Sequence, residues 1–282
     1  MRSVQLNDGN YLPMLGFGTY KAKDEAGVKA ITEALHSGYR LIDTAAKYDN
    51  EREVGKAIKQ STISREELHI TTKLWRENLG YDATLAAFDE SLNKLGLDYI
   101  DLYLIHWPAN KKNYGKQWQQ ANADVWRAME TLQAAGKIKS IGISNFWQEH
   151  LDALLQTAKV IPAINQVEFH PGYWQPDLVA YCKGKGIVVQ SWSPLAKGKV
   201  FGNEVLHKIS AHHNKNIAQV CLRWAIQHEV IVIPKTTTKE RIKANTAIFD
   251  FELSAEEMTV IDQMSEMGFS GELPNEWPDK VL

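Results

Sequence analysis

The sequence predicts a parallel (β/α)8 barrel, and three observations support this fold class. Short β-like segments alternate with amphipathic helical segments along the chain. The β-like segments are rich in Ile, Val and Leu without strict alternation, as is typical of strands that are buried on both faces. The 282 residues are 44% hydrophobic, which suffices for one large core, and α/β barrels commonly reach about 250 residues as a single unit.

Residues 1–14 are predicted to form a β-hairpin before the barrel begins. Residues 4–7 and 11–12 have β character, and Asp8-Gly9 between them is a common hairpin turn pair. We expect this hairpin to act as a lid.

Strand-like and helix-like segments then alternate through the rest of the barrel sequence. Helical periodicity is clear near 24–37, 51–60 and 82–95. Because helices separate the strands, the strands must pair in parallel. The predicted strands are 15–18, 40–43, 69–73, 100–106, 140–144, 163–167, 187–192 and 230–234.

An open, doubly wound sheet is the alternative to a closed barrel. Eight similar units favour the barrel, and no Gly-x-Gly-x-x-Gly motif follows a strand as a Rossmann fold would require. No linker divides the chain, so residues 1–282 are predicted to form a single domain.

Two polar segments, 109–122 and 196–204, are long for loops. We expect both to be mobile active-site loops at the C-terminal face of the barrel. The tail after Gly268, which contains Pro274 and Pro278, is expected to be irregular.

The composition favours a cytoplasmic protein that acts on small molecules. The 32 Lys and Arg residues nearly balance the 34 Asp and Glu residues, without the charged blocks typical of a nucleic-acid or membrane partner. The two cysteines, Cys182 and Cys221, lie in helical segments and form no paired motif. The N-terminus lacks the apolar run of a signal peptide, and no apolar stretch approaches the ~20 residues that span a bilayer.

Polar side chains stand at the predicted carboxyl ends of the strands. Because these ends meet on one face of a parallel barrel, residues far apart in sequence converge there. Asp43, Lys73 and His106 end the second, third and fourth strands, and Tyr48 lies in the loop after Asp43. The later strands contribute Ser144, Asn145, Gln166, Trp192 and Lys235.

Asp43, Tyr48, Lys73 and His106 together fit the protonation of a carbonyl oxygen. An ammonium about 4 Å from a phenol, at an effective dielectric near 20, favours the phenolate by roughly 4 kcal/mol, or about 3 pK units. Lys73 is therefore expected to bring the pKa of Tyr48 toward neutrality, with Asp43 holding Lys73 charged. His106 would supply an N–H to the carbonyl oxygen, and Tyr48 would be the proton donor.

Each of these residues also has a simpler interpretation. An Asp–Lys pair, a tyrosine after a strand and a histidine before Trp107 can all be structural, and only their joint occurrence on consecutive strand ends favours catalysis. Lys73 could instead form a Schiff base in a barrel lyase.

A second cluster follows the last strand. Thr238 is a plausible helix N-cap, so Lys235, Thr236 and the first backbone N–H groups would face one anion. Arg241 and Asn245 are i,i+4 neighbours, so Arg241 can approach a phosphate and Asn245 an adenine edge. The alternative is that these basic residues lie in the solvent-exposed first turn of a helix and bind no ligand. The cluster fits a 2′-phosphate and therefore NADPH.

Several motifs resemble signatures of the aldo-keto reductase family, over nearly the whole chain. They are GYRLIDTA at 38–45 with Tyr48 and residues 50–51, LIHWP at 104–108, GISNF at 142–146, NQVE at 165–168 and IPKT at 233–236. The resemblance implies a (β/α)8 barrel, usually monomeric, that binds NADPH without a Rossmann fold.

The resemblance also implies residue roles. Asp43, Tyr48, Lys73 and His106 would be the catalytic tetrad, Trp192 would stack on the nicotinamide, and Tyr20, Trp75, His106 and Trp107 would line the substrate pocket. The cofactor contacts would be Gly18, Thr19, Asp43, Ser144, Asn145, Gln166, Trp192, Ser193, Leu195, Lys235, Thr236, Arg241 and Asn245.

Trp192, where relatives often carry Tyr, is similar to the bacterial 2,5-diketo-gluconate reductase and glyoxal reductase branch. Two positions depart from the common pattern: Ala244 stands where many relatives have Glu near the adenine, and Tyr20 where Trp is common. The expected function is NADPH-dependent reduction of small aldehydes or ketones, either α-dicarbonyls such as methylglyoxal or diketo sugar acids. A non-catalytic subunit on the same barrel is the remaining rival.

Overall fold

The computed structural model of the protein describes residues 2–276 and confirms the barrel. Pro278, which we assigned to the irregular tail, lies outside the described residues. In the described part of the chain, the hairpin strands are β1 (Ser3–Gln5) and β2 (Tyr11–Pro13). The barrel strands are β3 (Gly16–Gly18), β4 (Leu41–Asp43), β5 (His69–Leu74), β6 (Ile100–Ile105), β7 (Ile138–Ser144), β8 (Ile164–Glu168), β9 (Val188–Trp192) and β10 (Ile231–Val232).

Helices separate the barrel strands, as predicted. They are α1 (Asp24–His36), α2 (Glu51–Gln60), α3 (Tyr81–Leu95), α4 (Lys111–Tyr114), α5 (Trp118–Ala134), α6 (Gln148–Leu155), α7 (Pro176–Gly184), α8 (Glu204–His212), α9 (Ile217–Gln227), α10 (Lys239–Ala244) and α11 (Ala255–Asp262). Cys182 and Cys221 are buried, unpaired thiols in α7 and α9. Among residues 2–276, no helix has both the length and the apolar character needed to cross a membrane.

The barrel closes between its first and last strands. Neighbouring strands from β3 to β10 pair in parallel and in chain order, and Leu15 forms a parallel bridge with Val232. Gly18 N donates to Pro234 O at 3.1 Å across the same seam. A Cβ atom at Gly18 would lie 2.8 Å from Ile233 O, so only glycine lets the two backbones approach this closely.

The predicted hairpin forms, and it covers the end of the barrel opposite the strand carboxyl ends. Asn7 Nδ2 donates to Pro162 O at 2.9 Å, just before β8, and Asn10 Nδ2 donates to Ser140 Oγ at 3.0 Å, near the start of β7. Leu12 is buried against the barrel core. The hairpin therefore acts as a lid on the amino-terminal end, away from the candidate site.

The prediction that 109–122 is a loop is wrong. This segment contains α4, a 3₁₀ turn at Gly115–Gln117 and the first turn of α5. Trp118 and Asn122 are one helical turn apart and are both buried, which anchors the start of α5. Asn122 Oδ1 accepts from Ala109 N at 2.8 Å, and Asn122 Nδ2 donates to Ala109 O at 3.0 Å.

Segment 196–204 is also more ordered than predicted. It forms a 3₁₀ helix at Ala196–Gly202, which Lys197 and Gly198 interrupt with φ angles of 51° and 96°. Asn203 then caps α8, because its Oδ1 accepts from Leu206 N at 3.1 Å.

Candidate active site

Asp43, Tyr48 and Lys73 meet at the carboxyl ends of β4 and β5. Lys73 Nζ lies 2.5 Å from Asp43 Oδ1, donates to Thr44 O at 2.9 Å and lies 3.5 Å from Tyr48 Oη. Burial raises the pKa of Asp43 and lowers that of Lys73, while their mutual attraction opposes both shifts. The Lys73 ammonium is fully buried and is held by Asp43 Oδ1 and Thr44 O, which favours an ion-pair role over that of a Schiff-base nucleophile.

A short 3₁₀ turn, Ala46–Tyr48, carries the phenol, and a buried asparagine holds this turn in place. Asn50 Oδ1 accepts from Thr44 Oγ1 at 2.7 Å. Asn50 Nδ2 donates to the carbonyl oxygens of Thr19 at 2.8 Å and of Ala22 at 3.0 Å. Because Asn50 is buried, these bonds are shielded from competing water. From the sequence alone, Asn50 was expected only as part of a family motif.

The prediction that Lys73 brings the pKa of Tyr48 toward neutrality is wrong. Burial raises the pKa of Tyr48 well above its usual range, and the negative charge of Asp43 adds to the rise. Asp43 Oδ1 lies only 2.5 Å from Lys73 Nζ, so the carboxylate offsets the positive charge of Lys73 that was expected to stabilise a phenolate. Tyr48 therefore remains a phenol at neutral pH, which is the state that a proton donor requires.

His106 stands beside Tyr48 as a neutral imidazole. Its ring lies edge-to-face with the rings of Tyr48 and Trp75, at centroid distances of 5.6 and 5.2 Å. Burial lowers the pKa of His106 well below its usual range, and the charges of Lys73 and Lys47 lower it further. A neutral ring has one N–H to offer, so His106 can donate a single hydrogen bond at the site.

Ser144, Asn145 and Trp192 lie together at the ends of β7 and β9, as predicted. Asn145 Nδ2 donates to His106 O at 3.0 Å and to Ser144 Oγ at 3.1 Å. Trp192 Nε1 donates to Asn145 Oδ1 at 2.8 Å. Ser144 Oγ in turn donates to Gln166 O at 2.8 Å. One hydrogen-bond network thus connects His106, which follows β6, to the indole of half-buried Trp192.

Gln166 belongs to a buried chain that also includes a residue the sequence analysis missed. Gln166 Nε2 donates to Asp43 Oδ2 and to Gln190 Oε1, both at 2.7 Å. Both N–H groups of the amide are engaged, so Gln166 can offer only its oxygen to a ligand. Gln190 is fully buried in β9, and no pattern in the sequence distinguishes it from other strand residues.

The other predicted cofactor residues next to β3 and β9 occupy the same end of the barrel. Thr19 is fully buried, and its Oγ1 donates to Asp43 O at 2.9 Å. Gly18 lies where β3 meets the last strand and closes the barrel. Ser193 and Leu195 follow β9 and are half-buried, and Ser193 adopts a positive φ of 52°.

The predicted phosphate segment precedes and includes α10. Thr238 occupies the N-cap position, although its side chain makes no capping hydrogen bond. Lys235 and Arg241 are exposed and Thr236 is half-buried, whereas Asn245 is only 4% exposed. The side chain of Arg241 is therefore accessible to solvent and that of Asn245 is not, although the two residues are about one helical turn apart.

Aromatic side chains surround Tyr48 and His106. Tyr20 is 54% exposed, and its ring lies 5.1 Å from that of Tyr48. Trp75 and Trp107 are buried, and Trp75 packs against the imidazole of His106. The structure thus brings most of the predicted apolar wall into contact with the catalytic candidates.

The C-terminal tail adds an acidic residue to this site. Residues 269–276 form neither helix nor strand, as predicted. Glu272 lines a small cleft together with Asn145 and Trp192, and its charge helps to raise the pKa of Tyr48. Burial raises the pKa of Glu272 itself. The sequence analysis missed this residue because the tail has no periodic pattern.

A buried carboxylate anchors the tail. Glu168 ends β8 and accepts from Ser270 twice, at Oε1 from the backbone N at 3.0 Å and at Oε2 from Oγ at 2.6 Å. The ring of Phe269 stacks on that of Tyr173 at 4.5 Å. These contacts hold Glu272 at the mouth of the site.

Comparison with known proteins identifies close relatives of the whole chain. Residues 14–266 match the model of the aldo/keto reductase family. Glyoxal reductase of Bacillus subtilis is 48% identical over 281 residues, which cover 99% of this chain and 97% of that protein. Morphine 6-dehydrogenase of Pseudomonas putida is 42% identical over 274 residues, which cover 93% and 90% of the two chains.

Solved structures share the same architecture. An aldo/keto reductase from Brucella melitensis is 44% identical, with a TM-score of 0.87 over 93% of this chain and 98% of that one. A mutant of Gox0644 in complex with NADPH is 37% identical, with a TM-score of 0.90 over 97% of both chains.

Proposed function

The chain belongs to the aldo/keto reductase family, and on this premise we propose that it reduces small, neutral α-dicarbonyls such as methylglyoxal to alcohols. As a family member it is an NADP-dependent oxidoreductase, and NADPH is its cofactor. The observation that carries the proposal is the buried Asp43–Lys73 pair in contact with Tyr48, with neutral His106 beside it.

The residues at the strand ends fit the nicotinamide half of NADPH, which supplies a hydride when bound. Gln166 has only its Oε1 to offer, so it would accept from the carboxamide NH2 group. Ser144 and Asn145 would also contact the carboxamide, and Asn145 Nδ2 would exchange one of its present hydrogen bonds to donate to the carboxamide oxygen. Trp192 would stack on the ring, with its indole fixed by Asn145.

The outer part of the cofactor would lie along the loops after β3, β9 and β10. Lys235 and Arg241 are exposed cations before and within α10, which suits them to the 2′-phosphate of NADPH. The remaining contacts in this proposal are Gly18, Thr19, Asp43, Ser193, Leu195, Thr236 and Asn245.

Tyr48 would donate the proton. The N–H of neutral His106 would orient the carbonyl oxygen toward the phenol, and the Tyr48 proton would pass to that oxygen as hydride reaches the carbon. Lys73 would stabilise the phenolate that this step leaves behind, because its ammonium lies 3.5 Å away. Asp43 would hold Lys73 in position.

The acidic tail favours neutral substrates over diketo sugar acids. Glu272 lines the cleft beside Trp192, and buried Glu168 lines the same cleft. The cation Lys197 lies close enough to lower the pKa of Glu272, but burial outweighs it. A substrate carboxylate in this cleft would meet like charges, whereas methylglyoxal carries no charge.

The test is a comparison of NADPH consumption with methylglyoxal and with a diketo sugar acid, repeated with NADH. We expect kcat/KM to be higher for methylglyoxal than for the acid, and higher with NADPH than with NADH. Failure to turn over any aldehyde or dicarbonyl would contradict the proposed reaction and would favour a non-catalytic role.

Glu272→Gln tests the role of the tail separately. Removing the charge should raise kcat/KM for the diketo sugar acid by roughly fivefold, as expected for about 1 kcal/mol of repulsion in a partly exposed site. The value for methylglyoxal should stay unchanged. Glu276→Gln, an exposed carboxylate in the same tail, is the matched control. An equal change for both substrates would refute the electrostatic argument.

We also propose that the protein is a cytoplasmic monomer without a nucleic-acid or membrane partner. The support is its balanced charge, with a net value of −2. Size-exclusion chromatography with light scattering tests the oligomeric state, and a dimer mass would contradict the proposal.

A further inference from the structure

We propose that His212, His213 and Glu257 form a binding site for a divalent transition-metal ion, with Zn²⁺ as the best fit. The two histidines end α8, and Glu257 lies in the first turn of α11. None of the three belongs to the catalytic or cofactor residues described above. The inference therefore stands independently of the proposed reductase function.

The potential ligand atoms already converge. Glu257 Oε1 lies 2.8 Å from His212 Nδ1 and 3.0 Å from His213 Nε2. Ligand atoms around a tetrahedral Zn²⁺ ion, with bonds of about 2.0–2.1 Å, are about 3.3 Å apart. Glu257 Oε1 would need to move away from each imidazole by only about half an ångström. All three ligand atoms lie within 4.8 Å of one another. Two imidazoles and one carboxylate are ligands that Zn²⁺ commonly takes, and the fourth position would be open to water.

Neighbouring groups orient two of the three ligands. The second oxygen of the carboxylate, Glu257 Oε2, accepts from Ser254 N at 2.8 Å in a capping box and also lies 2.8 Å from His213 Nε2. Both oxygens therefore face His213, while Oε1 also faces His212. The ring of His213 packs against that of Phe251 at 5.3 Å. Outer contacts of this kind fix ligand geometry in metal sites and strengthen binding.

The position in the fold also favours a cation and its entry. His212 and His213 stand at the carboxyl end of α8, where the helix dipole is negative. The His212 side chain is 71% exposed, whereas those of His213 and Glu257 are 15% exposed. An ion can thus reach the site from solvent and still contact two well-packed ligands.

A different result is expected if His212, His213 and Glu257 have a purely structural role. In that case both imidazoles donate hydrogen bonds to Glu257 and tie α8 to α11 without an ion. Such a tie would bind no metal, and its loss would change stability equally in the presence and absence of Zn²⁺.

The test uses the full-length, tag-free protein after chelator treatment. Zn²⁺ binding is measured by competition with a chromophoric chelator, together with the shift in Tm that added Zn²⁺ causes. We expect one saturable equivalent in the wild type and a rise in Tm. In His213→Gln and in Glu257→Gln, we expect affinity to fall at least about tenfold and the Tm shift to disappear.

Two features of the variants keep the test decisive. Gln at position 257 can still accept from Ser254 N, so Glu257→Gln preserves the capping box and removes only the charged ligand. His36→Gln, at the exposed carboxyl end of α1, is the matched control and should bind like the wild type. The proposal is overturned if the wild type binds no equivalent of Zn²⁺, or if the two variants bind it as tightly as the control.

Discussion

Burial and ion pairing together set the protonation states of Tyr48, Lys73 and His106. Lys73 Nζ lies 3.5 Å from the phenol but only 2.5 Å from Asp43 Oδ1, so the nearer carboxylate offsets most of its charge. Burial then favours the neutral form of both Tyr48 and His106. The free protein thus presents a protonated phenol beside a neutral imidazole, ready for reduction of a carbonyl.

These protonation states predict a flat pH profile for the reductive reaction. The pKa of Tyr48 is raised, so the proton donor is lost only above its ordinary value near 10, and the pKa of His106 is lowered, so the ring charges only below about 6.5. We expect kcat for methylglyoxal, at saturating NADPH, to change little between about pH 7 and pH 9. A fall in kcat with a midpoint near pH 7.5 would instead indicate that Tyr48 titrates near neutrality.

The convergence of some candidate residues could be predicted from the sequence, whereas other neighbours of the cluster could not, for a physical reason. Asp43, Lys73 and His106 could be predicted because polar residues at the ends of apolar strands are unusual. Gln190 could not, because it lies inside β9 and its role depends on the amide of Gln166. Glu272 could not, because contacts far along the chain bring the tail to the site.

Among the elements, the 3₁₀ turn Ala46–Tyr48 shows how a short segment can be fixed by one side chain. Asn50 connects this turn to the chain segments that follow β3 and β4 through three hydrogen bonds. The turn itself buries no residue completely, so its position depends on the bonds of the neighbouring Asn50 and on the contacts of the Tyr48 ring with Tyr20 and His106.

Asn50→Ala should destabilise the protein and impair catalysis together. The change leaves two backbone carbonyls and the Thr44 hydroxyl without their partner in the interior, at a cost of about 2 kcal/mol or more. Urea denaturation should report this loss, and kcat should fall more than the affinity for NADPH. Asn93→Ala, at an exposed position of α3, should change neither quantity. Wild-type kcat in Asn50→Ala would show that the turn needs no such support.

Helices and strands could largely be predicted from periodicity, whereas the region after β6 could not. Its polar composition indicated a loop, but α4 and the start of α5 occupy most of 109–122. The helix is anchored by buried Trp118 and by the amide of Asn122, which bonds to the backbone of Ala109. A polar residue that is buried through such long-range bonds gives no apolar signal in the sequence.

At the scale of the whole molecule, closure of the barrel brings the carboxyl ends of β3 to β10, which carry the proposed catalytic and cofactor residues, to one face. The seam between β3 and β10 joins Leu15 to Val232, and Lys235 follows directly after it. Residues from the hairpin to α11 share one buried apolar cluster. That residues 1–282 form a single domain stays a prediction, since it includes residues outside the described part of the chain.

Gly18→Ala tests the closing seam. The added methyl group would lie 2.8 Å from Ile233 O, so the strands must move apart, at a cost of about 1–3 kcal/mol. We expect a lower urea midpoint and, because the segment after β10 shifts, a higher KM for NADPH. Gly202→Ala adds a methyl group where no atom lies within 4 Å and should have little effect. Equal stability of the two variants would contradict the importance of this contact.

We expect Tyr48 to donate the proton within the cluster of Asp43, Lys73 and His106. We would measure kcat for methylglyoxal reduction by Tyr48→Phe, with circular dichroism and NADPH binding on the same sample. Tyr11→Phe, an exposed position of the hairpin strand β2 at the other end of the barrel, is the matched control. We predict that kcat falls by about a hundredfold or more in Tyr48→Phe, while fold and NADPH binding are retained and the control stays active. A correctly folded Tyr48→Phe variant with kcat within about twofold of the wild type would contradict this claim.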